Sequence, residues 1–496
     1  VTAPKSPLTF DLDETTLRQL GAAAVDIWTE LVARIQAGPV TTDHTPAEVR
    51  ARVAGPLPDE GSPPDALLDD LRDLLLNYST FNGNPRFFAY VTSSPTLIGA
   101  LADFLGAAAN TNVGAWRLSP GTTEVELQVL DWIKEIVGYP ADAAGVLTSG
   151  GAMANFVALA VARDAAADWD VRREGLAGHP PLRLYTTAET HSVLSRGADL
   201  LGLGTANVVE VAMDADLRMD PAALARAIEA DLRAGYKPMA AVGSAGTVGT
   251  GVVDPLVEIA AVCRQHRLWF HVDGAYGAFA ILAPSAAERL QGMALADSIA
   301  LDPHKWLYAP LEAGCVLVRK AAHLHEAFAV HAAYTYEDKG RLGERHDFYE
   351  HSPYFSRGSK ALKVWLAFRQ YGRAGYAARI ERDIALAHYA QAQLEARADF
   401  EVVAPAELSI VCFRYVPESL RGPRTDADER RLDDLNQRIM EAVQQDGRVY
   451  CSNASVKGRT ALRACIVNYR TQESDVDMLI EVCSEIGQRL AGEDAG

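Results

Sequence analysis

The chain opens with an amphipathic pattern. Between Leu17 and Ile35 the apolar residues Leu17, Leu20, Val25, Ile27, Trp28, Leu31, Val32 and Ile35 recur at mixed three- and four-residue steps, which predicts a helix with one apolar face. A stretch rich in proline and glycine (Gly55, Pro56, Pro58, Gly61, Pro63, Pro64) interrupts it, and a second helical run follows from Leu67 to Tyr78. Two such helices have no core of their own. Their apolar stripes must be buried on a partner subunit or on the chain's own larger domain.

From about residue 120 the period changes. Thr122–Val137 reads as a helix with Leu127, Leu130, Ile133 and Val137 on one face. Short apolar, β-branched runs then predict strands at Gly145–Thr148, Arg183–Thr187, Ala206–Val211, Met239–Gly243, Leu268–Val272, Ser298–Leu301 and Cys315–Val318. Helical patterns lie between several of them, at Ala152–Arg163, Pro221–Arg233 and Pro255–Arg267. Repeated βα units predict an α/β fold, an open, mostly parallel sheet covered on both faces. In such sheets ligands gather beyond the carboxyl ends of the strands. After about residue 380 come helix Ile384–Arg397, strand Ile410–Tyr415, helix Arg431–Gln445, strand Thr460–Ile466 and helix Asp475–Leu490, the pattern of a smaller α+β domain. The expected division is an N-terminal helical segment over 1–83, a large domain over 84–380 and a small domain over 381–496, with no internal repeat.

Composition narrows the partners. The 496 residues carry a net charge of −18. Such a chain repels a phosphate backbone and an anionic membrane face, so neither nucleic acid nor membrane is expected as a partner. The six cysteines (Cys263, Cys315, Cys412, Cys451, Cys465, Cys483) show no C-x-x-C spacing, and none sits beside a ligand-spaced histidine. They read as free thiols in a reducing compartment, with no metal site. Val1–Asp11 lacks the apolar core of a signal peptide, and Leu97–Ala109 is too short to span a bilayer and contains Asp103. A cytoplasmic location is expected.

Several polar groups fall just past predicted strand ends: Ser149-Gly150-Gly151, His191, Gly246-Thr247, Asp273, and His304-Lys305. Singly each is an ordinary cap, turn or surface residue. Together they meet the needs of pyridoxal phosphate. That cofactor takes a lysine on its aldehyde, an acid at its pyridine nitrogen, backbone N–H groups for its phosphate and a flat group against its ring. Lys305, Asp273, Ser149-Gly150-Gly151-Ala152 ahead of the Ala152–Arg163 helix, and His191 fill these four roles. A lysine held in apolar surroundings is also a nucleophile.

The segments Thr148–Asn155 (TSGGAMAN), His271–Ala275 (HVDGA) and Asp302–Trp306 (DPHKW) resemble the pyridoxal-phosphate-dependent group II amino-acid decarboxylases, the family of aromatic-L-amino-acid, glutamate and histidine decarboxylases. The likeness runs from Asn84 (NPRFFAY) to the C-terminal helix. It implies a fold-type I pyridoxal-phosphate enzyme and a homodimer acting on a small-molecule amino acid. Residue by residue it implies that Lys305 binds the cofactor aldehyde, Asp273 the pyridine nitrogen and His191 one ring face, with Ala275 packed against the ring. It also implies that Gly150, Gly151 and Ala152 cradle the phosphate, with His304 on the phosphate side and Ser298 in the phosphate-binding segment. Thr247 falls where the family contacts the cofactor's oxygen side. Tyr334, 29 positions after Lys305, matches the loop tyrosine that returns a proton to the substrate carbon, with Tyr336 close by.

For the substrate, the likeness implies that Phe87, Phe88, Tyr90 and Trp116 lie in segments walling the pocket, with Arg463 near the site. Ser356 lies in the segment that helps set ring preference, where a serine can hydrogen-bond a phenol. The NPRFFAYVTSSP segment is shorter than in the animal aromatic enzymes, and Asn112-Val113-Gly114-Ala115 lacks an aromatic residue that they carry. The expected activity is decarboxylation of an aromatic L-amino acid. The alternatives are an aldehyde synthase, a decarboxylase of small or acidic amino acids such as glutamate or diaminobutyrate, and a regulatory dimer on the same fold. Tyr334 and His191 both speak against the aldehyde synthase.

Overall fold

The computed structural model describes residues 10–330 and 345–493. Its centre is a seven-stranded sheet: β1 (Ala144–Thr148), β2 (Leu182–Thr186), β3 (Val208–Glu210), β4 (Lys237–Ser244), β5 (Trp269–Gly274), β6 (Ser298–Leu301) and β7 (Gly314–Val318). The strand order is β1-β7-β6-β5-β4-β2-β3. The pairs from β6 through β5, β4 and β2 to β3 are parallel, while β7 runs antiparallel to both β1 and β6. Strands β5, β6 and β7 are buried along their whole length and β4 from Met239 onward, as a sheet covered on both faces requires. The expected strand Ala206–Val211 is only three residues long, because Thr205–Asn207 forms a 3₁₀ turn ahead of it.

The first helices are α1 (Glu14–Ala37), α2 (Pro46–Val53), α3 (Pro64–Asn77), α4 (Leu97–Ala109), α5 (Pro120–Val137) and α6 (Gly151–Ala166). Asp13 caps α1 by accepting from the Thr16 N–H, and Thr45 with Glu48 forms a capping box on α2. No side chain of α1 is buried; the helix leans on α3 through Arg72, whose Nε lies 2.6 Å from Glu30. Helix α6 is rich in alanine, and these small side chains let its buried face lie directly on the sheet.

A second sheet is antiparallel, in the order β10 (Ser452–Val456), β11 (Arg459–Cys465), β9 (Ile410–Tyr415), β8 (Phe400–Ala404). Helices Asp426–Asp446 and Glu473–Glu493 share its apolar core. The chain reaches it through the long helix Ala361–Glu395, which breaks at Gly372 and runs through residue 380 without a linker. Residues 86–88 return to this sheet: the Phe88 N–H donates to Tyr450 O at 2.7 Å, and the Cys465 N–H donates to Phe88 O at 2.8 Å. All six cysteines are buried and free. No helix among the described residues is long and apolar enough to cross a membrane.

Candidate active site

The carboxyl ends of β1, β2, β4, β5 and β6 open onto one cleft of about 650 Å³, closed on its far side by Ser452–Ser455 and Arg463 of the second sheet. Gly150, Gly151, Ala152, His191, Thr247, Asp273, Ala275, His304, Lys305, Tyr90 and Arg463 all line it. Residues up to 373 positions apart in sequence are thereby brought to one place.

Lys305 sits on the turn after β6, where its N–H donates to Asp302 O and its carbonyl accepts from the Tyr308 N–H. Ser93 Oγ holds the neighbouring carbonyl of His304 at 2.6 Å. The Lys305 Nζ lies 3.0 Å from Asp302 Oδ2. Asp273 is the penultimate residue of β5; its Oδ1 accepts from the Ala275 N–H at 3.1 Å, and the residue lines the cleft. His191 Nδ1 accepts from the Val193 N–H, which leaves the proton of the neutral ring on Nε2. Desolvation by the cleft walls lowers its pKa, against the opposing pull of Asp273. His304 Nδ1 accepts from the Ala313 N–H, and burial lowers its pKa too.

The start of α6 is built for close approach. A Cβ on Gly151 would stand 2.8 Å from both Ala275 Cβ and Asp302 Oδ2, and one on Gly314 would stand 2.5 Å from Gly150 Cα. Only glycine leaves the first N–H groups of this 16-residue helix open to an anion. A lysine, a carboxylate, an imidazole and the open start of a helix thus converge on a single cleft, the set of groups that pyridoxal phosphate takes.

A family model for the pyridoxal-dependent decarboxylase conserved domain matches residues 46–416. The chain belongs to the pyridoxal-dependent decarboxylases. It is 33% identical to an aromatic-L-amino-acid decarboxylase of Bacillus atrophaeus, covering 94% of each chain. It is 30% identical to an acidic amino acid decarboxylase of Homo sapiens, covering 87% of this chain and 83% of that one. The solved structure of Oryza sativa TDC with PLP and tryptamine superposes with a TM-score of 0.90 at 29% identity, covering 97% of this chain and 100% of that one. The enzyme is a pyridoxal-phosphate-dependent carboxy-lyase.

The structure corrects several expectations. Ser298 does not line the cleft of this decarboxylase. It opens β6, at the amino end, and a four-residue strand separates it by roughly 10 Å from the site. Its Oγ instead accepts from Trp269 Nε1 at 2.8 Å and meets His271 Nδ1 at 2.9 Å. Phe88 is buried in the core of the second sheet, and Phe87 stacks on Tyr450; both are drawn there by the backbone pairing of residues 86–88. Trp116 donates its indole N–H to Glu124, and Ser356 is exposed; neither lines the cleft. Tyr334 and Tyr336 lie outside the described residues.

Three residues of the site were not singled out from sequence. Asp302 borders the cradle. Asn155, one turn into α6, lines the cleft and accepts from His271 Nε2 at 2.7 Å. His271 lies on the same face of β5 as Asp273, and the two-residue alternation of a strand carries that signal. Its burial pushes its pKa down to about 4.

Proposed function

We propose that the enzyme decarboxylates an aromatic L-amino acid to its amine and carbon dioxide, as a homodimer. The observation that carries the substrate class is the apolar mouth of the cleft, where Arg463 is the arginine among the described lining residues. Its Nε donates to Gly249 O at 3.1 Å and its Nη1 to Tyr90 O at 2.9 Å, with Ser452 Oγ at 3.4 Å. Two of its nitrogens are thus held as part of the cleft wall, while Nη2 is buried without an acceptor. Tyr90, Val91, Val248 and Ala454 complete a largely apolar mouth.

Bound pyridoxal phosphate supplies an electron sink for the bond that breaks. In this reading Lys305 would hold the cofactor covalently through its Nζ, which lies 3.0 Å from Asp302 Oδ2. Asp273, which lines the cleft, would keep a proton on the ring nitrogen. His191 and Ala275 bracket the ring. Gly150, Gly151 and Ala152 take the phosphate, with His304 beside them and Thr247 on the oxygen side. The proton returned to carbon comes from Tyr334 or Tyr336.

The dimer reading rests on uncovered apolar surface. Leu97, Leu101, Phe104 and Leu105 are exposed and form one stripe along α4, and no residue of α1 is fully buried. A second copy covers these faces, with residues 1–83 as the appendage that packs on it, 84–380 as the cofactor domain and 381–496 as the small domain. Six free, buried thiols agree with a reducing cytoplasm.

A panel of L-amino acids assayed together for amine, carbon dioxide, aldehyde and peroxide tests the activity. Tyrosine, dihydroxyphenylalanine, tryptophan or phenylalanine is expected to give amine and carbon dioxide in equal amounts, without peroxide. Turnover of glutamate or another acidic amino acid alone would overturn the aromatic assignment. Stoichiometric peroxide and aldehyde would replace the decarboxylase with an aldehyde synthase. Sedimentation at micromolar concentration is expected to give twice the monomer mass.

A further inference from the structure

Asp302 directly follows β6 and lines the cleft with its side chain 2% exposed. Its Oδ2 lies 3.0 Å from Lys305 Nζ and 3.6 Å from His304 Nε2. The same oxygen would stand 2.8 Å from a Cβ on Gly151, so the carboxylate rests directly against the start of α6. Its Oδ1 is buried with no hydrogen-bond donor. A buried carboxylate oxygen without a donor is costly, and it implies a donor that arrives with something else.

The surroundings leave little positive charge to compensate a second anion. On its own turn Asp302 meets Lys305 and His304; from β7 it faces the Cys315 thiol, which burial keeps protonated. His191, its pKa lowered by burial, acts on it across the cleft, where Asp273 adds a like charge. Lys363, on the long helix, acts on His304 and is paired with Asp103. The Nε and Nη1 of Arg463 are held by the carbonyls of Gly249 and Tyr90, away from Asp302. Among the described residues Lys305 is therefore the one lysine or arginine in contact with Asp302, and it would leave Asp302 on joining the cofactor aldehyde. The helix start contributes only about half a charge.

We propose that Asp302 and the cofactor phosphate share one proton, taken up from solvent as the cofactor binds. This rests on the reading that Gly150, Gly151 and Ala152 hold the phosphate. A carboxylate and a phosphate dianion held side by side in a shielded cradle do not both stay fully ionised. One O–H bond forms between solvent proton and the pair, and the hydrogen bond it makes satisfies the orphan oxygen. Retention of the cofactor then weakens as pH rises.

Titration of the apoenzyme with pyridoxal phosphate by calorimetry, in two buffers of different ionisation enthalpy, counts the protons. Pyridoxal is the control: it makes the same carbon–nitrogen bond to Lys305 and releases the same water, but brings no phosphate. The expected excess for pyridoxal phosphate over pyridoxal at pH 8 is about one proton per site, since the free phosphate is mainly dianionic there. The ³¹P resonance of the bound cofactor should be that of a protonated or strongly hydrogen-bonded phosphate. Asp302→Asn should abolish the excess and bind pyridoxal phosphate at least as tightly, with a Kd that no longer rises by up to tenfold per pH unit. No excess proton in the wild type, with a freely dianionic ³¹P signal, would overturn the proposal, as would weaker binding by a folded Asp302→Asn. The wild-type comparison stands alone if that variant does not fold. Gly151→Ala separates the two levels: unchanged cofactor affinity there means that the cradle reading fails. Lost affinity there, with no excess proton in the wild type, means that only the shared proton fails.

Discussion

The indole Nε1 of Trp306 donates to Asp383 Oδ2 at 3.2 Å, and the same oxygen accepts from the Tyr308 hydroxyl at 2.7 Å. The residues one and three positions beyond Lys305 are thus tied to the long helix Ala361–Glu395. Trp306 also stacks on Tyr276, with ring centroids 5.0 Å apart. The turn that presents the lysine is clamped from two sides, which keeps the amine aimed at the cleft.

Burial pushes the Asp383 pKa up to about 7. Its unfolded value is about 3.9, so between these limits the folded chain binds the extra proton. Stability therefore falls as pH rises from about 4 to about 7, and the full benefit is present only below that window. Asp383→Asn keeps an acceptor for Trp306 and Tyr308 without the charge. Urea unfolding of the apoenzyme at pH 5 and pH 7.5 should show the wild-type loss shrink in this variant, by on the order of 2 kcal/mol. An unchanged difference between the two pH values would assign the loss to other groups.

Behind the cradle runs a directed chain of hydrogen bonds. Trp269 Nε1 donates to Ser298 Oγ, Ser298 pairs with His271 Nδ1, His271 Nε2 meets Asn155 Oδ1, and Asn155 Nδ2 donates to Gly151 O at 2.9 Å. Donor counting fixes the ring: Asn155 offers an oxygen, so Nε2 carries the proton and Nδ1 accepts from Ser298. His271→Leu strands Asn155 Oδ1 and the Ser298 hydroxyl in the interior and should cost about 2–4 kcal/mol, with a weaker grip on the cofactor. His271→Gln retains a donor toward Asn155 and should recover most of both. Thermal unfolding and cofactor Kd measured on the two variants check this; equal damage by both would deny the relay.

Asp273 and Lys305 divide the work differently. Lys305→Ala should remove the covalent link, leaving a protein that borohydride no longer fixes to its cofactor. Asp273→Ala should keep a borohydride-fixable yellow chromophore but lose carbon dioxide release by roughly 100-fold or more, because the charge on the ring nitrogen is no longer held. Absorbance and single-turnover carbon dioxide release separate the two. Full activity in Asp273→Ala would remove the acid from the mechanism.

The sheet and the residues at its carboxyl edge were legible because their signals are local. Short β-branched runs mark buried strands, and the turn after each strand carries its polar residue. What was missed depends on distant partners. Phe87 and Phe88 look like pocket aromatics until the pairing of residues 86–88 with Tyr450 and Cys465 carries them to the second sheet. β8 and β10 are partly exposed and weakly patterned, so neither stands out as an apolar run. Ser298 shares a strand with the site but lies at its wrong end. Asp302 belongs to the motif that carries Lys305, yet its orphan oxygen is visible only once Gly151 is packed against it.

Arg463 gives the sharpest division between substrate classes. If its work is to hold the carbonyls of Gly249 and Tyr90, geometry matters more than charge, and a lysine cannot reproduce the planar fork. Arg463→Lys and Arg463→Met should then raise KM for the aromatic substrate to a similar extent, by about tenfold, through the same slackened wall. If Arg463 instead faces a substrate carboxylate, lysine keeps the attraction and methionine does not. Measuring KM and kcat for both variants against an aromatic and an acidic amino acid decides it: a tenfold or greater advantage of lysine over methionine would return the acidic reading.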